Sequence, residues 1–224
     1  GLGFPIQNWF AEVFLDPNCS SDEEINLFWA ARKVFSEKKT IHKEFGLRYF
    51  SDIPRQVGLA GSSALIMAAL RVMAKAYNYS WTWRSLADAT LVAERKYLGI
   101  VAGPMDRWIQ AKEKLLFMNF SESKTKILPI SKLPNFRILI SSKPGQPSGS
   151  VHAPVMKRWE NGDPLVKKIM NSYKSLVLKG FESLMSGDIF SFAECMERNF
   201  ELRSSLFSID DEVMGHLLGR FGAE

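Results

Sequence analysis

The chain has 224 residues, 46% of them hydrophobic, enough to bury a sizeable core in one large domain or two modest ones. Lys and Arg number 29 against 24 Asp and Glu, a net charge of +5 spread along the chain without a block of five like charges, which suits an anionic small molecule and argues against a nucleic-acid partner. The longest apolar stretch, Val57 to Leu70, holds two serines and falls short of the ~20 residues a bilayer span needs, so no membrane partner is expected, and two distant cysteines, Cys19 and Cys195, fit a reducing, cytoplasmic setting.

In chain order, Trp9–Leu15 alternates in the manner of a strand, and Glu23–Lys38 has helical apolar spacing through Ile25, Phe28, Trp29 and Ala31. A short strand is expected near Leu47–Phe50. A run of small residues from Gly58 to Ala64 then opens onto a helix over Leu65–Tyr77. Trp83–Leu98 reads as one helix, striped by Leu86, Thr90, Ala93 and Tyr97, with Gly99 as its C-cap. After a turn at Gly103-Pro104 and a further helical stretch, strands are expected at Leu115–Phe120, Lys126–Ile130 and Asn135–Ser141.

The composition changes at Ser142–Ser150, a Pro- and Gly-rich loop, and the pattern beyond it is helical, with helices at Asp163–Leu184, Ile189–Phe207 and Asp211–Phe221. The expected class is α+β: a mixed lobe over residues 1–131 and a helix-rich lobe over residues 132–224. The chain opens at Gly1 without a methionine and closes in a helical pattern, so it is expected to be incomplete at both ends.

The small-residue run Gly58, Leu59, Ala60, Gly61, Ser62, Ser63 and Ala64 has the makings of a phosphate cradle. A helix start leaves its first N–H groups without backbone partners and carries about half a positive charge, and glycines let an anion approach the main chain. Glu94 lies late in the following helix and Asp106 just beyond the Gly103-Pro104 turn, so two carboxylates can converge on that loop. Phosphoryl transfer asks for such parts: main-chain donors, hard oxygens for Mg²⁺, and a group that deprotonates the attacking alcohol. On spacing alone the plainer reading is favoured, with Glu94 solvated beside Arg95 and Lys96 and Asp106 capping a helix that begins near Arg107.

Ile53-Pro54-Arg55-Gln56-Val57-Gly58-Leu59-Ala60-Gly61-Ser62-Ser63-Ala64 resembles the Pro-x-x-x-Gly-Leu-x-x-Ser-Ser-Ala phosphate motif of the GHMP small-molecule kinases. Within that superfamily the chain resembles the plant-type glucuronokinases. That likeness rests on Ala93-Glu94, on Leu98 through Gly103 with Asp106-Arg107, on Val151-His152, on Arg158-Trp159 with Gly162-Asp163, and on Arg198 through Arg203.

The resemblance implies a two-lobed GHMP kinase fold and ATP-dependent phosphorylation of the anomeric hydroxyl of a sugar or uronic acid, with glucuronate going to glucuronate 1-phosphate. Its cofactors would be ATP and Mg²⁺. By the same resemblance Ser62 or Ser63 and Glu94 would hold the metal, Asp106 would be the catalytic base, and residues 58–64 would hold the polyphosphate. Arg55, Arg107 and His152 are candidates for contacts to the triphosphate or the acceptor. Alternatives left open are a family member acting on galactose, fucose, a heptose phosphate or a mevalonate-like alcohol, and a catalytically silent relative that binds nucleotide or sugar. Neither the sugar-gripping N-terminal segment of the family nor its C-terminal glycine-rich loop is found in this sequence, so the acceptor and the activity of this chain by itself stay open, and the sequence does not fix the oligomeric state.

Overall fold

The computed structural model describes residues 1–6, 9–19, 21–22, 25–42, 45–138, 140, 145 and 148–207. They form two compact units, one of residues 3–116 and one of residues 1–2 with the described residues from 117 to 207. The division falls earlier in the chain than the expected 131/132 boundary, and Phe117, just after it, packs on Phe181 of the second unit.

The first unit begins, after the short strand β1 (Leu2–Gly3), with β2 (Ala11–Asp16) and β3 (Gly46–Ser51). They pair antiparallel from Ala11 opposite Ser51 to Asp16 opposite Gly46. Helix α1 (Ile25–Ser36) lies between them in the chain, and its Phe28, Ala30, Ala31, Val34 and Phe35 are buried. Asp22 closes the connection: Arg32 grips its carboxylate at 2.7 and 2.9 Å, and the Leu47 amide donates to it at 2.9 Å. Gly46 has to be glycine there, since a Cβ would stand 2.5 Å from the Ser21 carbonyl.

Helix α2 (Gly61–Ala76) is the centre of the unit, packed by α1, β2, β3, α3 (Trp83–Val92) and α4 (Met105–Lys112). It is apolar on most of its circumference, with Leu65, Ile66, Met67, Ala69, Leu70, Met73 and Ala74 buried, as expected of a helix covered on several sides. The expected helix began at Leu65; it begins four residues earlier, so Gly61 to Ala64 form its first turn. Trp83 and Trp108 face each other edge-on with the Arg84 guanidinium 4.5 and 4.2 Å from their ring centres, which makes them packing residues.

The second unit contains β4 (Leu116–Asn119) and β5 (Lys124–Ile127), in a sheet of order β1–β4–β5, and three helices, α5 (Ser148–Glu160), α6 (Pro164–Ser186) and α7 (Ile189–Ser204). Phe117 of β4 stacks on Phe181 of α6 with ring centres 4.6 Å apart. Val155, Val166, Ile169, Leu202 and Leu206 make a core shared by the three helices. The Arg158 guanidinium, followed by the Val166 and Leu165 amides, holds the Asp163 carboxyl below its ordinary range, so α6 starts on a charged cap with Pro164 at its first position. Helix α5 carries Pro154 in its interior and was not among the expected helices. The described residues of the expected strand at Asn135–Ser141 have no regular structure, and the expected helix at Asp211–Phe221 lies outside the described residues. No helix among the described residues is long and apolar enough to cross a membrane.

Candidate active site

The approach to α2 turns through three left-handed residues, Gln56 (φ 57°), Gly58 (φ 81°) and Ala60 (φ 54°). Such alternation points successive amides to one side, and α2 begins with no side-chain cap on its N–H groups. Ala60 pays the usual steric cost of a Cβ in that conformation, about 1–2 kcal/mol. It is held there by Gln110, whose Nε2 donates to the Ala60 carbonyl at 3.0 Å. Ala60→Gly is therefore expected to raise stability by about 1 kcal/mol or somewhat less, read as a higher urea midpoint. A lower midpoint would mean that the alanine is not strained.

The helix expected over Trp83–Leu98 is α-helical only to Val92 and then widens into a π turn over Ala93–Tyr97, closed by the Leu98 amide on the Ala93 carbonyl. Glu94 continues the buried stripe of α3, four residues after Thr90 and seven after Ala87, and π turns recur at functional sites. Gly99 follows with φ 65°, the left-handed residue expected at this helix end. Glu94 is not solvated, as spacing alone had suggested: it is 0% exposed. Its Oε1 accepts from Ser63 Oγ at 2.8 Å and from Arg107 Nη2 at 2.7 Å, and its Oε2 accepts from Arg107 Nε at 2.6 Å. Ser63 is 0% and Arg107 7% exposed, whereas Ser62 points to solvent.

Asp106 sits in the first turn of α4, one residue inside a helix that starts at Met105, so it is not the N-cap of a helix beginning near Arg107. Its carboxylate is about half exposed and one oxygen stands 3.3 Å from Arg107 Nη1, which also donates to the Gly103 carbonyl at 3.1 Å. Asp106 lines a cavity of about 730 Å³ together with Gly58, Leu59, Ala60 and Ala64 of the loop, and Gln110 lines it one turn along α4. The structure thus brings together the loop, Ser63, Glu94, Arg107 and Asp106.

The remaining candidates have partners of their own. Arg55 is on the surface, donating to the Tyr49 hydroxyl at 3.0 Å. His152 belongs to α5 of the second unit, its ring edge-on to Phe207 at 5.3 Å. Arg107 reaches its partners through all of its nitrogens, so it is committed to Glu94 and the Gly103 bend and not offered to an acceptor or a triphosphate. Gln110 was not anticipated; the available signal was its position four residues after Asp106, on the same helical face.

The arrangement does not fit a divalent ion on Glu94. Magnesium seeks uncommitted hard oxygens, but both oxygens of this carboxylate are already held by a guanidinium that cannot lose its charge.

Comparison with known proteins decides the family. Residues 26–112, which carry the loop, α2, the π turn, Asp106 and Gln110, match the GHMP kinases N terminal domain. The chain belongs to the GHMP kinases. It is 36% identical over 206 residues to glucuronokinase 1 of Arabidopsis thaliana, covering 85% of this chain and 56% of that protein. It is 36% identical over 183 residues to probable glucuronokinase 2 of the same plant, covering 77% of this chain and 49% of that protein. The chain thus spans about half the length of the curated relatives it matches. Among solved structures, the phosphomevalonate kinase of Streptococcus pneumoniae superposes with a TM-score of 0.59 at 15% identity, covering 88% of this chain and 69% of that one. At that identity the likeness shows the GHMP fold alone.

Proposed function

We propose that this GHMP chain belongs to an ATP-dependent sugar-1-kinase that phosphorylates the anomeric hydroxyl of a uronic acid, with glucuronate as acceptor. The observation that carries the reading is that Asp106 and Gly58, Leu59 and Ala60 of the loop line one cavity. Similarity to two glucuronokinases supports the choice of acceptor.

In this reading the amides of residues 58–64 and the start of α2 receive the phosphates of ATP, where the helix end favours negative charge. Asp106 Oδ takes the proton from the anomeric hydroxyl as that oxygen attacks the γ-phosphorus. The bond from the γ-phosphorus to the bridging oxygen breaks, leaving ADP and a sugar 1-phosphate. An anomeric hydroxyl is more acidic than an ordinary alcohol, so a half-exposed carboxylate is an adequate base, and most of the acceleration comes from positioning. Magnesium belongs to this reading as the counter-ion of the nucleotide phosphates, not as a ligand of Glu94. A cytoplasmic location is part of this reading, in keeping with two distant cysteines that form no disulfide framework.

The test is a coupled ADP-release assay of this chain, and of the longer protein should it be part of one, against glucuronate, galactose, fucose, a heptose phosphate and mevalonate. Glucuronate is expected to have the highest kcat/KM. Release above background with none of the five, together with measurable ATP binding, would favour a silent nucleotide-binding relative.

A further inference from the structure

We infer that Arg107 is the resident cation of this site: a positioning residue that takes the place on Glu94 a divalent ion would need, and so fixes the phosphate loop against the bend that carries Asp106. What the positioning serves rests on the kinase reading above; the occupancy of Glu94 does not.

A carboxylate offers about four acceptor positions, and three on Glu94 are engaged by Ser63 and by two nitrogens of Arg107 at 2.6–2.8 Å. The charges of the pair cancel, and both groups are buried. A divalent ion bound to Glu94 would stand beside the guanidinium in a medium where like charges repel far more strongly than in water, and arginine cannot relieve that by losing a proton. The same guanidinium turns its remaining nitrogen, Nη1, toward the Gly103 carbonyl and the Asp106 carboxylate, at 3.1 and 3.3 Å. One planar group thereby ties the π turn, the Gly103 bend and the start of α4, and through Glu94 it holds Ser63 in the first turn of α2.

Gln110 adds a second tie from α4, to Ala60. The helix that bears Asp106 therefore grips the loop at two points, Ser63 through the ion pair and Ala60 directly. A purely structural ion pair needs none of this geometry, since buried pairs can often be replaced by apolar residues of similar volume without loss of stability. Lysine carries the charge but not the fork, and cannot meet Glu94 and the Gly103 carbonyl together.

Three measurements on this chain test the inference. Manganese, followed by its EPR signal and added without nucleotide, is expected to titrate identically with the parent and with Glu94→Gln. A manganese site present in the parent and lost in Glu94→Gln would overturn the inference. Arg107→Lys is expected to lower kcat by about 10²-fold with KM for ATP and acceptor near parental, the loss typical of a small misplacement of reacting groups. Parental kcat in that variant would overturn the positioning role. The double variant Glu94→Gln with Arg107→Met removes both charges, and its urea midpoint is expected near the parental value while kcat stays low. Recovery of parental kcat in the double variant would reduce the pair to a structural one. A parent that releases no ADP with any acceptor defeats the kinase reading, and the manganese comparison then still decides whether Glu94 is closed to metal.

Discussion

Asp106→Asn is expected to lower turnover of the acceptor by about 10²–10⁴-fold while ATP affinity stays near the parental value. The amide keeps the size and polarity of the carboxylate but cannot take a proton from the attacking hydroxyl. Folding should be spared, because Asp106 is half exposed and its one ion-pair contact, to Arg107, is long at 3.3 Å. Nothing in the loop touches its side chain among the described hydrogen bonds, so the nucleotide cradle of residues 58–64 is left as it was. Steady-state ADP release and a separate ATP titration distinguish the two effects. A variant that turns over at the parental rate would remove Asp106 from the chemistry, and one that loses ATP binding as well would make it part of the nucleotide site.

Arg107→Met, with Glu94 intact, is expected to cost about 3–5 kcal/mol of stability. The methionine fills much of the volume, but it leaves a fully buried carboxylate with a single hydroxyl partner. Domains of this size are commonly stable by only about 5–15 kcal/mol, so a large share of the folded population is at risk. Arg71→Met is the matched control. Arg71 pairs with Glu113 at 2.8 Å, but both side chains are largely exposed, so that change should cost about 1 kcal/mol or less. Urea midpoints of the two variants, measured side by side, give the comparison. Equal shifts would show that the Glu94 site is wet in solution and that its burial contributes nothing special.

Much of the local structure can be read from residue types. The alternation in Trp9–Leu15 and the apolar spacing of Glu23–Lys38 correspond to β2 at Ala11–Asp16 and α1 at Ile25–Ser36. Gly99 ends its helix, as a glycine after a basic last turn should. The misreadings have local causes. Pro154 inside α5 masks a helix whose apolar residues pack on α6 and α7. The π turn has no sequence signature separable from an ordinary helix, because its widened ring depends on where the chain must go next.

The chain's own letters determined the family motif, the helix that follows the small-residue run, and the identity of the acidic residues brought to it, because those depend on short-range sterics and on apolar period. Only the three-dimensional packing decided what the acidic residues do. Glu94 and Arg107 lie thirteen residues apart and Ser63 thirty-one residues before Glu94, and no periodicity links them. Their meeting follows from the crowding of α3 and α4 around α2. Once water is excluded there, a carboxylate must be matched by a cation, and the nearest one is the arginine beside Asp106.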